Sequence, residues 1–327
     1  MTQWTGAEAE RFLLDHPDEA AEMLRGYHML TGNVGDAEPE DLRPGSIANV
    51  RVLDSRSYSI GLPGISSAMR PIRAGETVVV GAREGNGKTS FGSQVALANS
   101  IAHKVLFCTL EATREEIREQ MLAQLSHLSV DDVQRGRSED AEDYLCAMRR
   151  LCDERDLLLW RPVSKPQRTI QNICKRAEDV GAEVLIIDYS RRIEGWRPGE
   201  AAGEVIDYVA DWARSSSITV FFLAQLNRGA VGIRPHNGHL QDTDKLGQRA
   251  DRVILLYRPF LGRGSKDVVA EVIISKNRCG PTFRGHAHWI GYTTSFFDMD
   301  EETEVLQECC RKRTRAPRSL PERKDLE

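Results

Sequence analysis

Thr77-Val78-Val79-Val80-Gly81-Ala82-Arg83-Glu84-Gly85-Asn86-Gly87-Lys88-Thr89 is the stretch that decides the fold of this chain. It runs from an apolar segment through a turn with two glycines into Gly-Lys-Thr at the head of a helical pattern. A buried strand, a tight turn and a helix in that order gather the backbone N–H groups of residues 82–89 around one small volume. Such a cradle suits phosphate. Ala82, Arg83, Glu84, Gly85, Asn86 and Gly87 line it, Lys88 adds a point charge, and the Thr89 hydroxyl is placed for Mg²⁺. The helix that follows turns its positive end toward the same volume. The strict form of this pattern opens with glycine, whereas here Ala82 holds that place and Gly81 precedes it. The expectation is a phosphate loop that binds ATP with Mg²⁺.

On both sides of this stretch, from about residue 60, apolar strands alternate with amphipathic helices, the signature of a parallel sheet with helical crossovers. Strands are expected at 77–81, 104–110, 156–160, 183–188 and 217–224, and helices at 88–102, 139–153, 168–180 and 200–215. Thr113 and Glu116 have the spacing of a capping box, opening a helix with Ile117, Met121, Leu122 and Leu125 on one face. The segments 252–257, 268–276 and 283–298 read as strands, expected to be antiparallel. The fold class is therefore α/β, a mainly parallel sheet flanked by helices with antiparallel strands at its C-terminal side. Residues 1–48 read as a small helical segment and linker, 49–300 as the nucleotide-binding domain, and 301–327 as a basic tail expected to be disordered. Seven basic residues between Arg311 and Lys324 fit either a solvated terminus or a weak attraction to nucleic-acid phosphate.

The bulk numbers bound the class. With 327 residues, 40% hydrophobic and 28% charged, the chain has an ordinary globular composition. No apolar run approaches the roughly 20 residues of a membrane span. The opening Met1-Thr2-Gln3-Trp4 lacks the basic region and apolar core of a signal peptide. Seven cysteines without metal-like spacing suggest free thiols in a reducing cytoplasm and no zinc. A net charge of −5 does not draw nucleic acid to the surface as a whole, so DNA binding would run through local basic loops or a channel.

A phosphate loop needs partners, and candidates follow in order. Val184-Leu185-Ile186-Ile187-Asp188 is an apolar strand ending in a carboxylate, and strand C-terminal ends line the ligand crevice of a parallel sheet. Asp188 can hold Mg²⁺ opposite Thr89, or merely end a buried strand. Glu111 ends the strand after the phosphate-loop helix, where a carboxylate orients or deprotonates an attacking water, or else favours the next helix's N-terminus. Gln225 closes Phe221-Phe222-Leu223-Ala224 and can hydrogen-bond a γ-phosphate without adding charge, or be a plain strand-end amide. Lys276 and Arg278 stand two apart, on one side of an extended chain, and read either as an arginine finger or as surface charge.

Gly-Asn-Gly-Lys-Thr at 85–89, Leu110-Glu111, Ile187-Asp188-Tyr189, Ala224-Gln225-Leu226-Asn227-Arg228, Ala250-Asp251-Arg252-Val253 through Leu256-Tyr257-Arg258, and Lys276-Asn277-Arg278-Cys279-Gly280-Pro281 occur in this order. The series closely resembles the C-terminal ATPase domain of DnaB-type replicative ring helicases, over residues 60–298. The resemblance implies a RecA-like P-loop NTPase core, a homo-oligomer in the form of a hexameric ring, and ATP-driven translocation on single-stranded DNA with unwinding of the duplex. It implies Glu111 as catalytic base, Gln225 as γ-phosphate sensor, Lys276 and Arg278 acting on the neighbouring subunit's ATP, and a replication loader or primase as partner. Two stretches depart from the family pattern. Ser190-Arg191-Arg192 replaces Leu-Gln-Leu, and the channel loop reads His239-Leu240-Gln241-Asp242-Thr243-Asp244, with Gln241 at the DNA-facing arginine's place. Arg191, Arg192, Arg197, Arg228 and Arg234, with Gln241, are the candidate DNA contacts; solvated loop charge is the other reading. A RecA-like ATPase that switches with nucleotide but does not unwind is the competing function, and a strand-exchange recombinase a third. Residues 1–48 are too few for the family's helical collar domain.

Overall fold

The structure, a computed structural model, describes residues 56–135, 141–240, 245–262 and 268–299. The expectations for residues 1–48, for the tail 301–327 and for Gln241 lie outside the described residues. A two-stranded ribbon, β1 (Ser57–Tyr58) with β2 (Ile72–Arg73), brackets helix α1 (Pro63–Met69). The chain then enters a sheet that holds nine strands among the described residues, in the order β11-β10-β9-β8-β3-β7-β6-β4-β5. Six of them are parallel: β3 (Thr77–Ala82), β4 (Val105–Thr109), β5 (Leu157–Trp160), β6 (Val184–Asp188), β7 (Thr219–Gln225) and β8 (Arg252–Tyr257). β9 (Val269–Asn277), β10 (Phe283–Ile290) and β11 (Ser295–Asp298) continue it in antiparallel fashion, as expected from the sequence.

Helices cover both faces, so the central strands are continuous apolar runs rather than alternating ones. Their two-residue period splits them between two cores. Val78, Val80, Phe107, Ile186, Phe221 and Leu223 pack with Phe91 and Val95 of α2 (Lys88–Asn99) and Ile117 and Met121 of α3 (Arg114–Ser126). Val79, Leu106, Leu185, Ile187, Val220 and Phe222 pack on the other face, with Ile173 and Ala177 of α6 (Ile170–Asp179) and Ile206 and Val209 of α7 (Glu200–Ser216). Truncating a fully buried ring such as Phe107 to alanine costs about 3–5 kcal/mol through lost transfer energy and the cavity left behind. Two short helices, α4 (Val130–Arg135) and α5 (Ala141–Cys152), lie against α3 in a smaller core of Leu122, Leu128, Val133 and Ala147. α8 (Lys245–Arg249) completes the set. No helix of the described residues is long and apolar enough to cross a membrane. Cys108 and Cys174 are free thiols whose burial pushes their pKa up, which keeps them inert.

Several boundaries differ from expectation for identifiable reasons. α2 stops at Asn99 instead of running to 102. The Asn99 side chain bonds the Ser59 backbone in both directions, at 2.8 and 2.9 Å, and the N–H groups of Ala102 and His103 fold back onto the Asn99 carbonyl. α6 begins two residues late because Pro166–Arg168 form a 3₁₀ turn and Thr169 takes the N-cap. The apolar run 283–298 is broken into a hairpin by a turn that sets Thr294 at φ 54°. The capping box stands as expected, Thr113 N–H donating to Glu116 Oε2 at 2.7 Å and Glu116 N–H to Thr113 Oγ1 at 3.1 Å. Helices α1 and α4 are too short to carry the periodicity that a sequence reading detects.

Candidate functional site

The turn after β3 is shaped by Gly85 at φ 78° and Gly87 at φ 86°, a region that costs other residues dearly. At Gly87 there is a second constraint. A Cβ there would stand 2.8 Å from Phe296 Cζ and 3.0 Å from Trp289 Cζ3, so the β10–β11 hairpin presses on the turn and only glycine fits. Gly87 is also the N-cap of α2 and supplies no capping side chain. The first-turn N–H groups of a helix have no intrahelical partner, and here they belong to Lys88, Thr89 and Ser90.

Both cationic and hydroxylic groups of the turn converge on one carboxylate. Lys88 Nζ lies 2.9 Å from Asp188 Oδ1, and Thr89 Oγ1 donates to Asp188 Oδ2 at 2.7 Å. Asp188 is 2% exposed, and Lys88 also lies over the Tyr189 ring at 4.1 Å. The residues fit a hard divalent cation: the hydroxyl and carboxylate oxygens of Thr89 and Asp188 meet at one point beside the Lys88 ammonium, the donor set for a phosphate-bound Mg²⁺.

β4 and β7 bring the other candidates to the same edge. Thr109 is the Cα partner of Asp188, and Leu110 N–H donates to the Asp188 carbonyl at 2.6 Å, which sets Glu111 at the same strand-end edge as Asp188. Glu111 is exposed, with Arg192 Nη2 3.8 Å from its Oε1. Gln225 is the parallel partner of Ala82, half-buried, and flanked by Leu226, whose N–H donates to the Ala82 carbonyl at 3.0 Å. Arg83 Nη1 donates to the Leu226 carbonyl at 2.8 Å. Ala82 to Thr89, Asp188, Glu111 and Gln225 thus gather at one edge of the sheet.

Arg258 belongs to the motif series of the sequence but carries no role there. Its backbone N–H donates to Asn86 Oδ1 at 2.8 Å and its Nη1 to the Gly85 carbonyl at 2.7 Å, while its guanidinium stacks 4.4 Å over Trp289. This buried arginine braces the phosphate turn from outside. A cavity of about 300 Å³ lies beyond it, lined by Arg83, Asn86, Leu226, Pro235, Tyr257 and Arg258. A more open cleft of about 450 Å³, between α3, α4 and the β10–β11 turn, lies apart from all these groups.

Lys276 and Arg278 are somewhere else. β9 is antiparallel to β8, with Asn277 opposite Arg252 and Lys276 opposite Val253, so the pair sits where the parallel strands begin. Six residues of β3, roughly 20 Å at about 3.3 Å each, separate that edge from the phosphate turn. Arg278 lies one residue beyond the strand rather than within it, and its Nη1 donates to Asp251 Oδ1 at 3.2 Å. Lys276 Nζ donates to the Gly247 and Gln248 carbonyls at 3.0 and 2.6 Å, at the carboxyl end of α8. Burial lowers the Lys276 pKa, with Arg278 and Arg214 pushing the same way against Asp251.

The candidate DNA contacts divide. Arg191, Arg192, Arg197 and Arg228 are exposed. Arg234 is exposed too, but it is not a free loop charge: its guanidinium grips Glu271 of β9 in two bonds of 2.6 and 2.8 Å. That hydrogen bond lowers the Glu271 pKa below the usual carboxylate range. Asn237 Oδ1 accepts from Ser275 Oγ at 2.5 Å, and Asn227 N–H donates to the His239 carbonyl at 2.8 Å, so the segment after Gln225 lies folded along β9.

Residues 59–298 match the family described as DnaB-like helicase C terminal domain. The replicative DNA helicase DnaB of Buchnera aphidicola subsp. Baizongia pistaciae is 27% identical over 311 residues, 84% of this chain and 64% of that protein. The DnaB of Leifsonia xyli subsp. xyli is 24% identical over 307 residues, 90% and 65% respectively. The chain thus spans less than two thirds of these relatives. Among solved structures, one described as an ATPase domain superposes with a TM-score of 0.68 at 18% identity, over 87% of this chain and 99% of that one. A DnaB-like replicative helicase, described with its interactions with primase, gives 0.70 at 18% identity over 89% and 75%. These likenesses establish the RecA-like ATPase fold implied by the sequence.

Proposed function

The chain belongs to the DnaB-like helicase C terminal domain family, and on that premise we propose that it is an ATP-driven DNA helicase acting in replication as a hexameric ring. One observation carries the proposal: the phosphate turn and the Lys276–Arg278 pair stand at opposite edges of one sheet. A single copy cannot bring them together on one nucleotide. Two copies packed head to tail can, and a head-to-tail interface that repeats with closure makes a ring.

In this reading residues 82–89 hold the triphosphate, Lys88 moving from Asp188 to the β- and γ-phosphates. Thr89 and Asp188 hold Mg²⁺, which when bound draws charge from the phosphate oxygens. Glu111 orients the attacking water and takes its proton. Gln225 bonds the γ-phosphate and passes its presence or loss to the segment after it, which lies along β9. The neighbour's Lys276 and Arg278 neutralise the developing charge, a contribution of about 10³–10⁵ in rate where such fingers have been measured. Single-stranded DNA runs through the channel against Arg191, Arg192, Arg197 and Arg228, and the altered loop with Gln241 contributes there. A primase or replication loader is the partner class, given the relative described with primase.

The test is hydrolysis and fork unwinding by wild type and by Lys88→Ala. Wild type is expected to hydrolyse ATP faster with single strands, to separate a forked duplex, and to lose both activities with Lys88→Ala. Hydrolysis without strand separation under any loading condition would leave the second reading, a nucleotide-switched ATPase that does not unwind. The Arg234–Glu271 clamp and the net charge of −5 favour that alternative. Strand binding that weakens steeply with salt separates the two. Sharing of the site is tested by mixing Arg278→Ala with Lys88→Ala protein. Part of the activity returns, because some interfaces then hold an intact finger and an intact turn.

A further inference from the structure

We propose that Asp251 is the positioning residue for Arg278, a buried carboxylate that aims the guanidinium out of the sheet edge toward a neighbouring copy's nucleotide. The inference rests on the reading of Lys276 and Arg278 as groups that act across the interface. Arg278 follows the last residue of β9, where no ladder fixes its backbone. Two contacts with Asp251 replace the ladder: Arg278 N–H donates to the Asp251 carbonyl at 3.0 Å, and Arg278 Nη1 to Oδ1 at 3.2 Å. The carboxylate is itself immobile. Its Oδ2 accepts the Thr77 N–H at 3.0 Å, at the first residue of β3, and the residue is 6% exposed. The Arg278 side chain, by contrast, is 66% exposed. One N–H of the planar fork is held and its remaining donors face outward.

Charge explains why this residue is an acid. Arg214 Nη2 shares Oδ1 at 3.2 Å, and Lys276 lies within the same field. Without Asp251, three cations would crowd one sheet edge, and mutual repulsion would splay the long, rotamer-rich Arg278 away from its aim. Lys276 has a separate support in the α8 carbonyls, so its placement does not depend on the carboxylate. The competing explanation is that Asp251 serves only its own chain, fixing the start of the strand that leads to the phosphate turn.

Which side of the interface fails distinguishes the two. Asp251→Asn keeps the shape and an acceptor for Thr77 but removes the charge. Its expected effect is a roughly tenfold lower kcat, the scale of one charge-assisted hydrogen bond, with KM for ATP and the melting temperature near wild type. Mixed with Lys88→Ala protein, Asp251→Asn is expected to recover activity as Arg278→Ala does, because the Lys88→Ala subunits present an intact Asp251–Arg278 unit to its phosphate turns. Recovery by Arg278→Ala mixtures but not by Asp251→Asn mixtures would overturn the proposal and place the defect in the residue's own chain. No recovery in either mixture would overturn the shared-site reading beneath it. Should Asp251→Asn not fold, Asp251→Glu, which keeps the charge but displaces the carboxylate by one methylene, enters the same mixing experiment.

Discussion

The two edges of the sheet hold similar charged residues and use them in opposite ways. At the carboxyl edge, Lys88 and Thr89 lean inward onto Asp188, which is almost wholly buried. At the amino edge, Asp251 is the buried acid, yet its cations Arg278 and Arg214 lean outward, 66% and 40% exposed at the side chain. One arrangement encloses a ligand volume. The other projects charge beyond the molecule. An acid at the base of a cation is thus not itself a site, and the direction in which the cation is released decides what it serves.

The contrast can be broken in stages. The largest effect is expected from Lys88→Ala, with hydrolysis falling by more than about 10³-fold because the turn loses its only point charge on the transferred phosphate. Arg278→Ala comes next, near the lower end of the finger range at about 10³-fold, with nucleotide binding retained, as measured by titration calorimetry. If it instead abolished binding, the outward edge would be a structural element of the same copy. Arg258→Ala is expected to act on the carboxyl edge alone. Loss of the Gly85 bond and of the Trp289 stack lowers stability by about 2–3 kcal/mol and raises KM for ATP more than it lowers kcat, read by thermal melting and steady-state kinetics. The smallest effect belongs to Glu271→Gln, which removes the charge that Arg234 grips. The folded-state pKa of Glu271 lies below the usual 4.5, so the Arg234 clamp adds stability that is fully present above that value and fades as pH falls through the folded value. The melting difference between wild type and Glu271→Gln is therefore expected at neutral pH and to close well below pH 4.5.

The carboxyl edge was legible in the sequence because its logic is local. An apolar run that ends in Asp188, Glu111 or Gln225 places that residue at a strand end, and parallel strand ends share an edge whatever lies between them. The register bears this out, with Thr109 beside Asp188 and Ala82 beside Gln225. The amino edge was legible only as two cations of undecided use. Their supports are Asp251, visible in the sequence only as part of a motif, and the carbonyls of α8, a five-residue helix with too little pattern to announce itself. Arg258, visible only as part of the same motif series, and the Glu271 clamp had no readable role for the same reason. Arg258 meets Gly85 from 173 residues away and Arg234 meets Glu271 across 37, and periodicity carries no information about such pairings. The early end of α2 at Asn99 is likewise set by Ser59, 40 residues earlier in the chain.

Trp289 touches the nucleotide turn at Gly87 and stacks on the arginine that braces it. An indole in that position is a built-in optical gauge. Its emission is expected to change as the turn fills and empties, so occupancy of the pocket can be followed in real time on the unlabelled protein, against a Trp289→Phe control that removes this indole and leaves the other four tryptophans.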